Sequence, residues 1–163
     1  MLALKSFRVG GVHPPENKLT AGVPLETLPL PKEVAIPLAQ HIGKPAAAVV
    51  ARGDDVKAGT VVGTASGFVS ANVHASVAGK VKKLDMVVDP QGRRRQSVII
   101  TVAEEQVWEE GIDASADLVT EIAAGPGEIT QAMREAGVVG AGGATFPSAV
   151  KYSVPEGKTV DTV

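Results

Sequence analysis

The sequence contains no cysteine. Disulfides, thiolate zinc sites and cysteine-held iron–sulfur clusters are therefore excluded from these 163 residues. Aromatic residues are scarce, at 3%, so a large aromatic-lined cavity is not expected and the core has to come from small and β-branched side chains. No apolar run approaches the roughly 20 residues a membrane helix needs, so direct membrane insertion is not expected. An excess of one charge is also missing. Sixteen Lys and Arg against 18 Asp and Glu leave a net charge of −2, which offers no electrostatic case for nucleic acid. The first residues, Met1-Leu2-Ala3-Leu4-Lys5-Ser6-Phe7, turn polar too quickly for a secretory signal. The expectation is a soluble, cytoplasmic chain whose membrane association runs through partners.

What is present is Val, Ala, Gly and Pro. The apolar share is 44%, and 18 Gly and 11 Pro fall between short Val-rich runs, which points to many short strands rather than a helical bundle. Residues 8–37 read as an extended arm punctuated by Pro14, Pro15, Pro29, Pro31 and Pro37. Its Val23, Leu25, Leu28, Leu30, Val34, Ile36 and Leu38 are too many buried-type residues for a solvated linker, so the arm is expected to pack on the module C-terminal to it. From Ala46 to Thr101 the strand pattern is clear: Ala48–Ala51, a turn at Arg52-Gly53-Asp54-Asp55, Val56 to Val62, then Phe68, Val69 and Val73. Lys80-Val81-Lys82-Lys83-Leu84 suggests one wet and one buried face. Asp89-Pro90-Gln91-Gly92 is a turn, and Gln96 to Val102 is the clearest strand of the chain. Such spacing favours a small sandwich or barrel.

After Trp108 the pattern changes. Ser115 is placed to cap a short helix carrying Leu118, Val119 and Ile122, and Glu128 to Ala136 forms a second helix stopped by Gly137. A Gly-rich loop, Val138 to Pro147, then leads into a helix beginning at Ser148. Lys158 to Val163 reads as a strand just beginning, so the expectation is a truncated chain.

Val49 to Gly63 and Phe68 to Val81 resemble the two halves of biotinyl- and lipoyl-type barrel-sandwich domains, where glycines allow tight turns and valines fill a narrow core. Those domains carry a modified lysine at a hairpin tip. Here the tip reads Ser66-Gly67-Phe68-Val69-Ser70, without lysine, so swinging-arm chemistry is not expected. Gly10 to Lys18, Ile36 to Pro45 and Gly67 to Ala71, in this order, make the chain similar to the C subunit of the Rnf complex, an ion-translocating NADH:ferredoxin oxidoreductase. The A subunit of the sodium-translocating NADH:quinone reductase is a looser relative. Gly137 to Lys151 resembles the Gly-rich loop of the NADH- and FMN-binding domain of the complex I flavoprotein subunit, except that Thr145 stands where glycine is usual.

The resemblance implies an α+β, mainly β chain. Residues 1–112 would form an arm plus a barrel-sandwich hybrid module, and 113–163 the truncated start of an FMN/NADH-binding domain. It implies a peripheral subunit on the cytoplasmic side of the bacterial inner membrane. That subunit would take electrons from NADH through FMN and pass them to 4Fe-4S clusters held downstream of this chain. The partners implied are NADH and the other subunits of the complex. Gly140, Gly142, Gly143, Ala144, Phe146 and Lys151 are the candidate cofactor-binding residues, by backbone approach to a phosphate and by the charge of Lys151. None is a catalytic acid or base, since hydride transfer belongs to the cofactor. The fragment alone is expected to hold no cofactor, and the rival reading is a non-catalytic docking module.

Other features have plainer readings. His13, His41 and His74 are scattered without carboxylates at ligand spacing and default to hydrogen bonding. Arg93-Arg94-Arg95 sits at a hairpin tip, either as a solvated turn or as a docking patch for an anionic partner. Glu104, Glu105, Glu109 and Glu110 are expected to be surface charge around a buried Trp108. No nucleophile–histidine constellation is present.

Overall fold

The structure is a computed structural model that describes residues 15–112, 120–155 and 157–160. Among the described residues seven strands come first: β1 (Glu33–Pro37), β2 (Ala47–Ala48), β3 (Asp55–Val56), β4 (Val61–Thr64), β5 (Val73–His74), β6 (Gly79–Val88) and β7 (Arg94–Val102). Two helices come after them, α1 (Pro126–Glu135) and α2 (Ser148–Lys151). The strands form two sheets, one of order β1-β7-β6-β3 and one of order β2-β4-β5, and every pairing between strands is antiparallel.

Between the sheets lies a core of Ile36, Leu38, Ala46, Val56, Val62, Val73, Ala75, Val77, Val81, Val98 and Ile100. It contains no aromatic side chain, which is what a narrow gap between two small sheets can accommodate. The fold is thus mainly β with few helices, as the sequence leads one to expect. β7 is buried on both faces from Ser97 to Ile100, flanked by β1 on one side and β6 on the other.

The Lys80–Leu84 stretch is not a plain alternation. A bulge between Val81 and Lys83 advances the register, so that Lys83 pairs with Ile99 and Leu84 with Val98. Val81, three residues before Leu84, pairs with Ile100, so the bulge brings both apolar residues to the same face. Leu84 still remains 39% exposed, because β6 and β7 run on beyond the core as a projecting hairpin. Asp89 fastens its turn. One carboxylate oxygen accepts from the amides of Gln91 (2.9 Å) and Arg93 (2.8 Å), and the other from Arg95 Nε (3.1 Å).

Two expectations about buried residues fail. Among the described residues only the last part of the arm packs: Ile36 on β1 and Leu38 just after it enter the core, whereas Val23, Leu25, Leu28 and Leu30 are exposed, Leu25 fully. Without strand pairing the Pro-rich stretch has no ladder to lay its side chains on the sheets. Trp108 is not buried either, being 56% exposed. It lies at the molecule's edge in an isolated parallel bridge with Ala58. Of the helix expected from Ser115, residues 113–119 lie outside the described residues, and 120–125 form no helix, with Ile122 exposed. The residues before Pro15, His13 included, also lie outside the described residues. Residues 158–160 form no strand, and 161–163 also lie outside the described residues.

Candidate functional site

α1 begins at Pro126, two residues before the start expected at Glu128. Pro126 occupies the first turn, and the Glu128 carboxylate accepts from the Gly125 amide at 2.8 Å. The helix ends at Gly137, whose φ of 65° lies in the left-handed region. A Cβ there would collide with the carbonyl oxygen of Asn72 on the barrel. Asn72 also donates from its amide nitrogen to the carbonyl of Glu135 (3.2 Å) and accepts from Ala65 N (2.9 Å). The helical segment is thereby clamped to the start of β5.

The Gly-rich loop leaves this clamp and closes on itself. Val139 and Pro147 bridge antiparallel, Gly140 N donates to Phe146 O (2.9 Å), and Thr145 N donates to Gly142 O (3.0 Å). The barrel holds the loop from below: Ile42 N donates to Ala144 O (3.2 Å) and Thr145 Oγ1 to Gln40 O (2.8 Å). Thr145 takes a left-handed φ of 43°, unusual for a β-branched residue. Its hydroxyl bond to Gln40 helps to hold that conformation.

This arrangement leaves the crest of the loop unused by the protein. Among the described residues the amides of Ala141, Gly142, Gly143 and Ala144 donate to no carbonyl or side chain, and all four residues are exposed. A Cβ added at Gly142 or Gly143 would meet nothing within 4 Å, and neither φ is left-handed. Neither the conformation nor the packing of the described residues requires glycine at those two positions. A row of exposed, uncommitted amides with two glycines at its centre fits the approach of a phosphate.

The remaining candidates are less direct. Phe146 is partly exposed at the foot of the loop, and Lys151 is exposed at the end of α2. α2 is a single turn whose first amide, Ser148 N, is already donated to Val138 O (2.9 Å), so the helix adds little positive field.

Facing the loop is the barrel's own β6–β7 hairpin. A cleft of about 290 Å³ separates Gly143, Ala144 and Thr145 from Arg93, Arg95 and His41. It adjoins a second hollow of about 510 Å³ that shares Ala39, Gln40, Asp89 and Arg95. His41 is held there by its ring: Nε2 accepts from Ala71 N (3.1 Å) and Nδ1 lies 3.0 Å from Ile42 O. The nearness of the arginine run to the Gly-rich loop was not readable from the sequence, where about 50 residues separate them. A larger cavity, about 790 Å³, lies elsewhere, between the β3–β6–β7 edge and residues 103–107. Its walls include Val56, Val81, Val102 and Val107, and at its rim Lys80 pairs with Asp55 at 2.8 Å.

The tip that carries a lysine in carrier domains is tied down. Ser70 Oγ donates to Lys44 O (2.8 Å), Ser66 Oγ to Pro45 O (2.6 Å), and Lys44 N to Val69 O (3.0 Å). Phe68 stands 70% exposed at its apex. No group of three or more potential metal ligands occurs among the described residues. Glu109 is engaged with Thr60 Oγ1 (2.6 Å) and Lys57 (3.6 Å). The Thr60 hydroxyl foremost holds its carboxyl below the usual range, as befits a structural contact at the surface.

Comparison with known proteins decides the family. Residues 5–105 match the RnfC barrel sandwich hybrid domain. The chain belongs to the RnfC family. The C subunit of the proton-translocating ferredoxin:NAD(+) oxidoreductase complex of Clostridium ljungdahlii is 44% identical over 159 residues, covering 97% of this chain and 34% of that protein. Its Na(+)-translocating counterpart from Acetobacterium woodii is 41% identical over 162 residues, covering 94% and 34%. The C subunit of the ion-translocating oxidoreductase complex of Rhodobacter capsulatus is 40% identical over 155 residues, covering 93% and 29%. The chain spans about a third of the length of these RnfC relatives. The similarity runs past the barrel, since the matched domain ends at residue 105 while the alignments cover nearly the whole chain. Among the described residues no helix is long and apolar enough to cross a membrane.

Proposed function

We propose that this chain is the N-terminal portion of the C subunit of an Rnf-type NADH:ferredoxin oxidoreductase. On this reading, 1–112 is the arm and barrel-sandwich module, and 113–163 opens the domain that holds FMN and NADH. The observation that carries the reading is the crest Ala141–Ala144, whose exposed amides have no acceptor within the described residues and no side chain in front of Gly142 and Gly143. These residues, with Gly140, Phe146 and Lys151 at the margins, would hold a phosphate of FMN or of NADH. FMN, when bound, supplies the conversion of a hydride from NADH into electrons passed on singly. The chain's own part is to hold and orient, and it offers no general acid or base. The 4Fe-4S clusters belong to sequence beyond Val163, where two Cys-x-x-Cys-x-x-Cys clusters are expected. The subunit sits peripherally on the cytoplasmic side of the inner membrane, against the other subunits.

The test is FMN titration of the intact subunit, read by flavin fluorescence. Saturable quenching should weaken tenfold or more in Gly142→Val, because the added branched side chain stands in front of the amides. Equal affinity in the variant would remove the loop from the site. A second reading, a docking module without cofactor, is favoured by the rigid tip that presents Phe68. It gains if the intact subunit binds no flavin at all.

A further inference from the structure

We infer that the barrel contributes directly to nucleotide binding: Arg93 on the β6–β7 hairpin and the amides of Gly143 and Ala144 grip one phosphate group from opposite sides. The inference rests on the reading of the Gly-rich loop above and extends it to residues of the other module.

Three observations lead there. First, the cleft is assembled by hydrogen bonds from both sides. Ala144 and Thr145 are fixed on Ile42 and Gln40, and the facing hairpin is fixed by Asp89. Second, its charges are unevenly committed. Asp89 spends its carboxylate on two hairpin amides and on Arg95, which leaves Arg95 locally compensated. Arg93 lines the same cleft and has no carboxylate within ion-pair distance among the described residues. An arginine so placed presents a planar fork of donors suited to phosphate. Third, the loop side offers the uncommitted amides of Gly143 and Ala144 and no negative side chain. At about 290 Å³ the cleft is at the small end of ligand sites, sized for a phosphate and its neighbouring atoms rather than a flavin ring system. The adjoining hollow past Gln40 and Arg95 gives the rest of such a molecule room to continue.

The phosphate has two sources, the monophosphate of FMN and the pyrophosphate of NADH. The experiment separates them with Arg93→Glu, Arg93→Lys and Arg94→Glu variants of the intact subunit. Arg94 lies on the same hairpin but does not line the cleft, so it controls for general charge. Binding of FMN, NADH and inorganic pyrophosphate is measured at low and high salt. Arg93→Glu should weaken pyrophosphate and one nucleotide at least tenfold, with Arg93→Lys intermediate and Arg94→Glu within twofold of wild type. Loss of FMN assigns the monophosphate, and loss of NADH with FMN retained assigns the pyrophosphate. Equal effects of Arg93→Glu and Arg94→Glu, or none, overturn the inference while leaving flavin binding intact. If the wild-type subunit binds neither nucleotide, the proposed function falls. In that case Arg93-dependent pyrophosphate binding still upholds the cleft, and its absence ends both.

Discussion

Ile100 and Val98 have no exposed surface, and both belong with Val62 and Val81 to a core that is aliphatic throughout. Ile100→Ala should cost about 2–5 kcal/mol, and Ile100→Val about 0.5–1.5 kcal/mol, because two thin sheets have little freedom to collapse into the space. The shift of the urea midpoint, at unchanged slope, measures it. The apolar run from Val98 to Val102 was legible as strand because it is β-branched and bounded by turn residues. Its place inside the sheet, with β1 on one edge and β6 on the other, was not, since β1 arrives from far away in the chain. Trp108 shows the opposite failure. A single tryptophan reads as a core residue by its size, yet a gap filled by valines has no room for an indole, and it settles at the edge beside Ala58.

Among the elements, the β6–β7 hairpin is the most self-sufficient. The amide of Arg93 foremost, then the guanidinium of Arg95 and the amide of Gln91, hold the Asp89 carboxyl below its ordinary range. A group depressed in the folded state stabilises it above the unfolded value, about 3.9 for aspartate, and that contribution fades as pH falls through the lower folded value. The Gln91 and Arg93 amides should therefore lose protection from exchange in acid before the β7 core amides do. Asp89→Asn should remove that pH step while leaving protection of Ile99 and Ile100 unchanged. The turn was readable because Asp89, Pro90 and Gly92 each favour it for a separate local reason. The bulge between Val81 and Lys83 was not, since nothing in the sequence says where a ladder skips a residue.

At the scale of the molecule, barrel and Gly-rich segment meet through Asn72 with Gly137 and Glu135, and through Gln40 and Ile42 with Thr145 and Ala144. Gly137→Ala places a Cβ both in a left-handed backbone, a cost of about 1–2 kcal/mol, and against the Asn72 carbonyl. Faster amide exchange across α1, with β4 and β7 unaffected, is the expected result, and FMN affinity of the intact subunit should fall with it. The loop's composition was legible in the sequence and its supports were not, because Thr145 finds Gln40 only after the barrel has folded. The pairing of β1 with β7, from Glu33 opposite Thr101 to Pro37 opposite Ser97, has its own consequence for how the molecule is made. On the ribosome, β1 emerges early and has to wait for the strand that completes its ladder. The barrel can close only when Thr101 has cleared the exit tunnel, so the Gly-rich loop is then synthesised onto a platform already in place.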